Sequence, residues 1–364
     1  MSPLELHQLL ARCLTVSPAE LRDSVTRDDF PWPGLLEIAN RTYLAPALYI
    51  ALVERAQAEL PADVRSYLTM LAQLNSIRNK RLKSQAHELI TALNESGVVP
   101  LLLKGAAVLF SSSNAPESGR MVTDLDILVR RDEAPAALMV LQRLGYRLLL
   151  GRGTSSHTLG DFARERDVGA VDLHIELITT HVLFPAADAL ARSPRRQIDG
   201  LQVQLLPASD QVLHLLLHDL VQDQGFHDGR LNFRHLHELA MLMRGVEPIH
   251  WAGIRAHLAR FHLELALHLW LLAVEVFFAA PRVASIPRTV GARILFWRAT
   301  MLLRYPGMAR ASEIFGNVHR SLARYRLAER DRRLPRLRQS LRYIQRYRAR
   351  AARQLVHVLL YRRS

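Results

Sequence analysis

The sequence predicts an α+β protein in which a small module with a mixed sheet lies between N- and C-terminal helical segments. Three observations carry that prediction. Apolar residues recur at helical spacing up to about residue 95, short apolar runs bounded by turns replace them between about 96 and 180, and helical spacing returns from Pro207 to about Ala280. The chain then divides into an N-terminal helical segment (1–95), an α/β module (96–180), a C-terminal helical domain (181–318) and an Arg-rich tail (319–364).

In the first segment Leu4, Leu9 and Leu10 precede a dense apolar run from Leu35 to Ala56. Pro61 opens and Gly97 closes a long helix, since proline is pre-set for a first helical turn and glycine readily takes the backbone past a last one. Val98 to Leu103 reads as a buried strand that ends at Lys104-Gly105, after which small and apolar residues open a helix. Ser111 to Gly119 is a loop by composition, Met121 to Val129 a second strand, and 132–144 a helix. Tyr146 to Leu150 gives a third strand and Val168 to Ile178 a fourth, with Asp172, His174 and Glu176 on one face.

Of the 364 residues 49% are hydrophobic and 23% charged, which excludes a disordered or collagen-like chain. The net charge of +14 is confined to one place: 15 of the 48 basic residues lie in 320–364 against two acids, leaving the rest of the chain near neutrality. Basicity therefore describes the tail and does not mark the whole protein as a nucleic-acid binder. The single Cys13 excludes an intramolecular disulfide and a cysteine-type zinc cluster and fits a reducing compartment. The start MSPLELHQLL lacks a basic leader with an apolar core, and the most apolar stretch, about 262–281, is broken by Glu264, His268 and Glu275. The expectation is a soluble, cytoplasmic protein.

The chemistry concentrates in TDLDILV. Asp124 and Asp126 are two apart on a strand, so their carboxylates share one face while Leu125, Ile127 and Val129 take the other. Two adjacent carboxylates repel unless a cation lies between them, and Mg²⁺ takes one or two protein carboxylates while completing its shell with water and phosphate oxygens. Asp172 supplies either a third ligand or the base for an attacking hydroxyl. This set suits metal-assisted phosphoryl or nucleotidyl transfer. Gly105, between a buried strand and a helix, suits a phosphate-cradling turn, and Lys104 beside it is one of only three lysines, with Lys80 and Lys83.

The strings LLLKGAAVLF, RMVTDLDILV and GAVDLHIEL, in that order, resemble the uncharacterised nucleotidyltransferase family of the DNA-polymerase-β-like superfamily. The resemblance extends to the flanking helices LAPALYIAL, HLLLHDLV and RHLHELAML, over about residues 40–280. It implies a polymerase-β-like sheet, transfer of a nucleoside monophosphate from an NTP such as ATP, and Mg²⁺ or Mn²⁺ held by Asp124, Asp126 and Asp172. It further implies Lys104 and Gly105 as the phosphate-side turn. Arg120 either steadies a phosphate or is a surface arginine, and His174 either orients substrate or is a buried, hydrogen-bonded histidine. Glu238 falls where the family often has an acid. The chain departs from the superfamily in two ways: Ala106 follows Gly105 where a serine is usual, and Asp124 comes 19 positions after Gly105.

His214 and His218, with His235 and His237 nearby, read as core-helix histidines before they read as a zinc site. In the tail, Leu337, Leu341, Ile344, Ala351, Leu355 and Leu359 alternate with arginines as in a basic amphipathic helix. Tyr325, Tyr343 and Tyr347 interleave with the arginines. RNA or another polyanion, an anionic membrane surface and the protein's own acidic face are all compatible partners. The acceptor is a small molecule, RNA or protein. The alternative to an enzyme is a non-catalytic binding protein with the same fold that engages a polyanion or membrane through its tail.

Overall fold

The computed structural model describes residues 1–111, 119–149 and 157–308. The tail expectation, the tyrosines and leucines that carry it, and most of the Ser111–Gly119 loop lie outside those residues.

The chain opens with α1 (Pro3–Thr15), α2 (Pro18–Val25), α3 (Trp32–Arg41) and α4 (Ala45–Tyr49), the last running into a π-helical turn, Ile50–Arg55. Local sequence fixes the first two starts. Ser2 and Ser17 accept from the backbones of Glu5 and Glu20, whose carboxylates in turn accept from Ser2 N (2.6 Å) and Ser17 N (3.2 Å). The long helix α5 (Ala62–Glu95) buries Val64, Leu68, Asn75, Asn79, Leu82, Ala86, Leu89 and Leu93, a stripe in which two asparagines stand where apolar residues belong.

Seven strands follow: β1 (Leu101–Leu102), β2 (Leu125–Leu128), β3 (Arg147–Leu148), β4 (Thr158–Ala163), β5 (Val171–His174), β6 (Arg195–Ile198) and β7 (Leu201–Leu205). Their order in the sheet is β3-β4-β5-β2-β1-β7-β6, with β2 parallel to β5, β1 parallel to β7, and the remaining pairs antiparallel. Helices α6 (Lys104–Phe110), α7 (Ala134–Arg143) and α8 (Ala186–Arg192) connect them. The pleat sorts side chains as alternation requires. Leu125, Ile127, Val171 and Leu173 enter a core with Leu82 and Leu89 of α5, Leu109 of α6 and Val140 of α7. Leu128 points to the opposite face, into a second core, and Asp126, Asp172 and His174 fall on that side of the pleat.

The second core is built from both ends of the described chain. After β7 come α9 (Ala208–Leu216), which continues as a π-helix (Leu217–Gln222), then α10 (Gly225–Asp228), α11 (Phe233–Arg244), α12 (Trp251–Ala259), α13 (Glu264–Phe278) and α14 (Val290–Arg304). Leu10, Leu35 and Leu48 pack in one cluster with Leu213, Leu236, Trp270 and Phe278. No helix among the described residues is long and apolar enough to cross a membrane.

Several elements depart from the sequence pattern. The expected strand Met121–Val129 shortens to Leu125–Leu128 because α5 captures the backbone before it: Asn79 Nδ2 donates to Arg120 O (2.8 Å), Arg78 Nε to Val122 O (3.0 Å) and Arg78 Nη2 to Thr123 O (2.8 Å). Asp124 consequently sits at the bend before β2 rather than inside it. Strand β4, with Gly160 and Asp161, carries little strand propensity of its own and is held by its antiparallel pairing with β5. The pattern closes the module at residue 180, whereas the sheet continues to Leu205 through the β6–β7 hairpin. Its Asp199-Gly200 turn has φ of +49° and +81°. Glu176 lies beyond the end of β5 and leaves the face of Asp172 and His174. It accepts from Ala186 N (3.0 Å) and pairs with Arg131.

Candidate active site

Register brings the principal carboxylates together: Asp126 of β2 and Asp172 of β5 are directly paired across the parallel strands. His174, two residues on, places Nε2 3.2 Å from Asp126 Oδ1 and 3.0 Å from Asp172 Oδ2. Lys104 reaches over the end of β1 with its Nζ 2.7 Å from the same Asp126 Oδ1. Its backbone is left-handed, with φ +44°, which turns the chain sharply from strand into α6. Gly105 next to it is required by space, because a Cβ there would lie 2.7 Å from Val122 Cγ1. Asp172 Oδ1 accepts from Thr158 Oγ1 of β4, and Asp124 Oδ1 accepts from Thr123 Oγ1 at 2.9 Å.

The electrostatics distinguish the three aspartates. Burial opposes the charge on Asp126, yet Lys104 and His174 hold its carboxyl far below the usual range. Burial likewise opposes Asp172, and the hydrogen bond and charge of His174, with Thr158, hold it low. Asp124 goes the other way: burial, and then the negative charge of Asp126, push it up. Burial alone would neutralise His174, but hydrogen bonds to Asp126 and Asp172 raise it to about 9, so it is a cation at neutral pH. Lys104 too is held above its usual value, against burial, by Asp126 and more weakly by Asp124 and Asp172.

Ligand atoms of Asp126, Asp172 and His174 lie within 4.8 Å of one another, the one such group among the described residues. Two carboxylates with hard oxygen donors, Asp126 and Asp172, meet Lys104 and His174 there, and Asp124 stands outside this group at the bend before β2. The outstanding repulsion falls on Asp124, so a hard divalent cation fits this donor set.

Two further clusters border the site. Arg120, which the sequence left between phosphate ligand and surface residue, has a side chain only 11% exposed and pairs with Glu238 of α11. Arg234 places Nε 3.3 Å from the same Glu238 oxygen and donates from Nη2 to Met121 O (3.1 Å). Burial opposes the charge of Glu238, but Arg120, His235 and Arg234 bring it to about 2. On the other side the His157 ring lies 5.5 Å from that of His174. Burial and the charge of His174 take His157 down to about 4. His214 contacts Leu177 O and His218 pairs with Asp223, as core and boundary histidines do; no zinc group forms from them among the described residues.

Sequence reasoning missed Thr158, Arg234, His157 and the clamp of Arg78, Asn79 and Asn75, whose Nδ2 also donates to Arg120 O (3.3 Å). Only the clamp left a signal, the polar interruption of an apolar helix stripe. The class defined by fold and site is an α+β protein with a mixed seven-stranded sheet that presents carboxylates beside a strand-to-helix turn. A profile describing an uncharacterised nucleotidyltransferase matches residues 28–279, and the chain belongs to that family. Among solved structures, the solution structure of the antibiotic-resistance factor ANT(2'')-Ia is similar at 14% identity, over 52% of this chain and 95% of that one, with a TM-score of 0.35. A search among curated proteins gives no match.

Proposed function

We propose that the protein is a nucleotidyltransferase with a polymerase-β-like sheet. It moves a nucleoside monophosphate from an NTP, ATP among the candidates, to an acceptor hydroxyl or phosphate and releases pyrophosphate. The observation that carries the reading is the in-register pair Asp126 and Asp172, with Asp124 one bend before it. Asp124, Asp126 and Asp172 would hold Mg²⁺ or Mn²⁺, which neutralises charge on the entering and leaving oxygens. Asp172 is held below the usual carboxylate range, which weakens it as a proton acceptor and favours its role as a ligand over that of a base. His174 keeps Asp126 and Asp172 at fixed separation through one nitrogen. Lys104 carries two donors beyond the one it spends on Asp126, and these would take phosphate oxygens of the NTP at the Gly105 turn. No serine hydroxyl assists, because Ala106 takes that place.

The test is transfer of label from α-³²P-labelled ATP, GTP, CTP and UTP with Mg²⁺ or Mn²⁺ in cell extract, comparing wild type with Asp124→Asn. Labelled product absent from the variant identifies the transferase and its acceptor. No label with any nucleotide, together with no NTP-dependent thermal stabilisation, overturns the reading.

One observation favours a second reading, in which the fold binds without turnover. Lys104 and His174 already neutralise Asp126 and Asp172 from within the chain, so these carboxylates are tolerated without a cation. A binder acting through residues 319–364 would respond to heparin or RNA and lose affinity steeply with salt.

A further inference from the structure

The mechanism leaves an aromatic ring and a guanidinium at the border of the site without a task. Tyr43 forms the corner between α3 and α4 with φ +59°, in the left-handed region that an L-residue enters at a cost of roughly 1 kcal/mol. Its side chain recovers little of that cost in the core, since the residue is 48% exposed. Strained backbone clusters at functional sites, and this one carries a half-exposed aromatic ring.

The ring is backed by a cation. The Arg234 guanidinium carbon lies 5.6 Å from the Tyr43 centroid, within cation–π range. Arg234 is fixed from behind by Glu238 and by Met121 O, so its plane is set before any ligand arrives. The corner is also fastened to the approach to the aspartates. Gly119, at φ +63°, rests so closely on α4 that a Cβ would lie 2.6 Å from Ala47 Cα, and the next residue, Arg120, shares Glu238 with Arg234. The hydrogen bond from Arg234 Nη2 to Met121 O (3.1 Å) fastens ring and guanidinium three residues before Asp124.

We propose that Tyr43, backed by Arg234, is the stacking platform for the planar base of the nucleotide whose phosphates face Lys104 and the aspartates. This inference rests on the nucleotidyltransferase reading above. A tyrosine face over a fixed guanidinium grips any heteroaromatic ring and reads no hydrogen-bonding edge, so the platform accepts all four bases and holds purines more tightly than pyrimidines.

The experiment is equilibrium binding of ATP, UTP and inorganic tripolyphosphate to the full chain with Mn²⁺, for wild type, Tyr43→Ala, Tyr43→Phe and Tyr43→Gly. Tyr43→Ala is expected to weaken ATP about tenfold or more and UTP less, with tripolyphosphate unchanged, whereas Tyr43→Phe stays within about twofold of wild type. Tyr43→Gly separates binding from folding: glycine adopts φ +59° freely, so this variant melts no lower than Tyr43→Ala yet loses ATP to the same extent. Unchanged ATP affinity in Tyr43→Ala and Tyr43→Gly overturns the platform alone, as does an equal loss of ATP and tripolyphosphate. Failure of the wild-type protein to bind either ligand overturns the parent reading and the platform with it.

Discussion

Neutralising Asp124 and neutralising Asp126 should change stability in opposite directions, although the two residues belong to one D-x-D. Asp126 is the shared anchor of Lys104 (2.7 Å) and His174 (3.2 Å). Asp126→Asn leaves both cations without their main partner. His174 keeps Asp172 as a partner and gives up its proton more readily than in the wild type, and Lys104, 27% exposed at its side chain, still feels Asp124 and Asp172. Breaking a buried pair costs about 3–5 kcal/mol, and these two escapes bring the expected loss to about 2–3 kcal/mol. At this chain size that lowers Tm by roughly 3–4 °C. Asp124 is instead the carboxylate that its neighbours push up, so its charge opposes folding at neutral pH. Asp124→Asn removes that repulsion and keeps the acceptor for Thr123 Oγ1, for a change between zero and about 1 kcal/mol in favour of the folded state. The assay is thermal or urea unfolding of the metal-free protein at pH 7, repeated with MgATP, where Asp124→Asn should forfeit the ligand-dependent gain. If Asp124→Asn proves as destabilising as Asp126→Asn, the charge reasoning for this site is wrong.

Three further outcomes follow from the same geometry. Gly105→Ala should lose about 1–3 kcal/mol despite alanine's better helix propensity, because the new methyl meets Val122 Cγ1; the double variant with Val122→Ala should recover most of it in urea titrations. Glu238 in the folded state titrates near 2 rather than the usual 4.5, so its contribution is complete above about 4.5 and vanishes as pH falls through about 2. Glu238→Gln should therefore be less stable than wild type by about 3 kcal/mol at pH 7, with the gap closing between pH 4.5 and 2. Thr158→Val removes a donor from Asp172 and the acceptor of Gly160 N, and should lower label transfer about tenfold with a loss of about 1–2 kcal/mol in stability; an unaltered rate would remove Thr158 from the site.

How far the site was legible depended on whether a residue's role rests on local spacing or on distant contact. The alternation in TDLDILV placed Leu125 and Ile127 in one core and Asp126 on the other face, and the turn after a buried strand located Lys104 and Gly105. Those inferences need only the pleat and the strand end. The Asp126–Asp172 register joins residues far apart in the chain, and the spacing within neither strand says that the two strands lie side by side. Asp124 could not be placed before the strand, because the start of β2 is decided by Arg78 and Asn79 on α5, tens of residues upstream. The Asp199-Gly200 pair was a readable hairpin signal, yet nothing in its spacing says that β7 joins β1. Thr158 follows a Gly/Ser-containing loop and lies on a strand stabilised by its neighbours β3 and β5, so no periodicity announces it.

The sharing of one core by the two ends of the described chain sets an order of events during synthesis. Leu10, Leu35 and Leu48 leave the ribosome long before Leu213, Leu236, Trp270 and Phe278, the residues that cover them. At about 5–20 residues per second that interval is roughly 10 to 40 s. During it the sheet module between them can close on its own core, made almost wholly from residues 82–205, while the first four helices wait with apolar faces uncovered. The nascent chain is thus most exposed to aggregation and to chaperone capture at its beginning. A pause or truncation before α13 would leave a finished sheet carrying an unfinished cover.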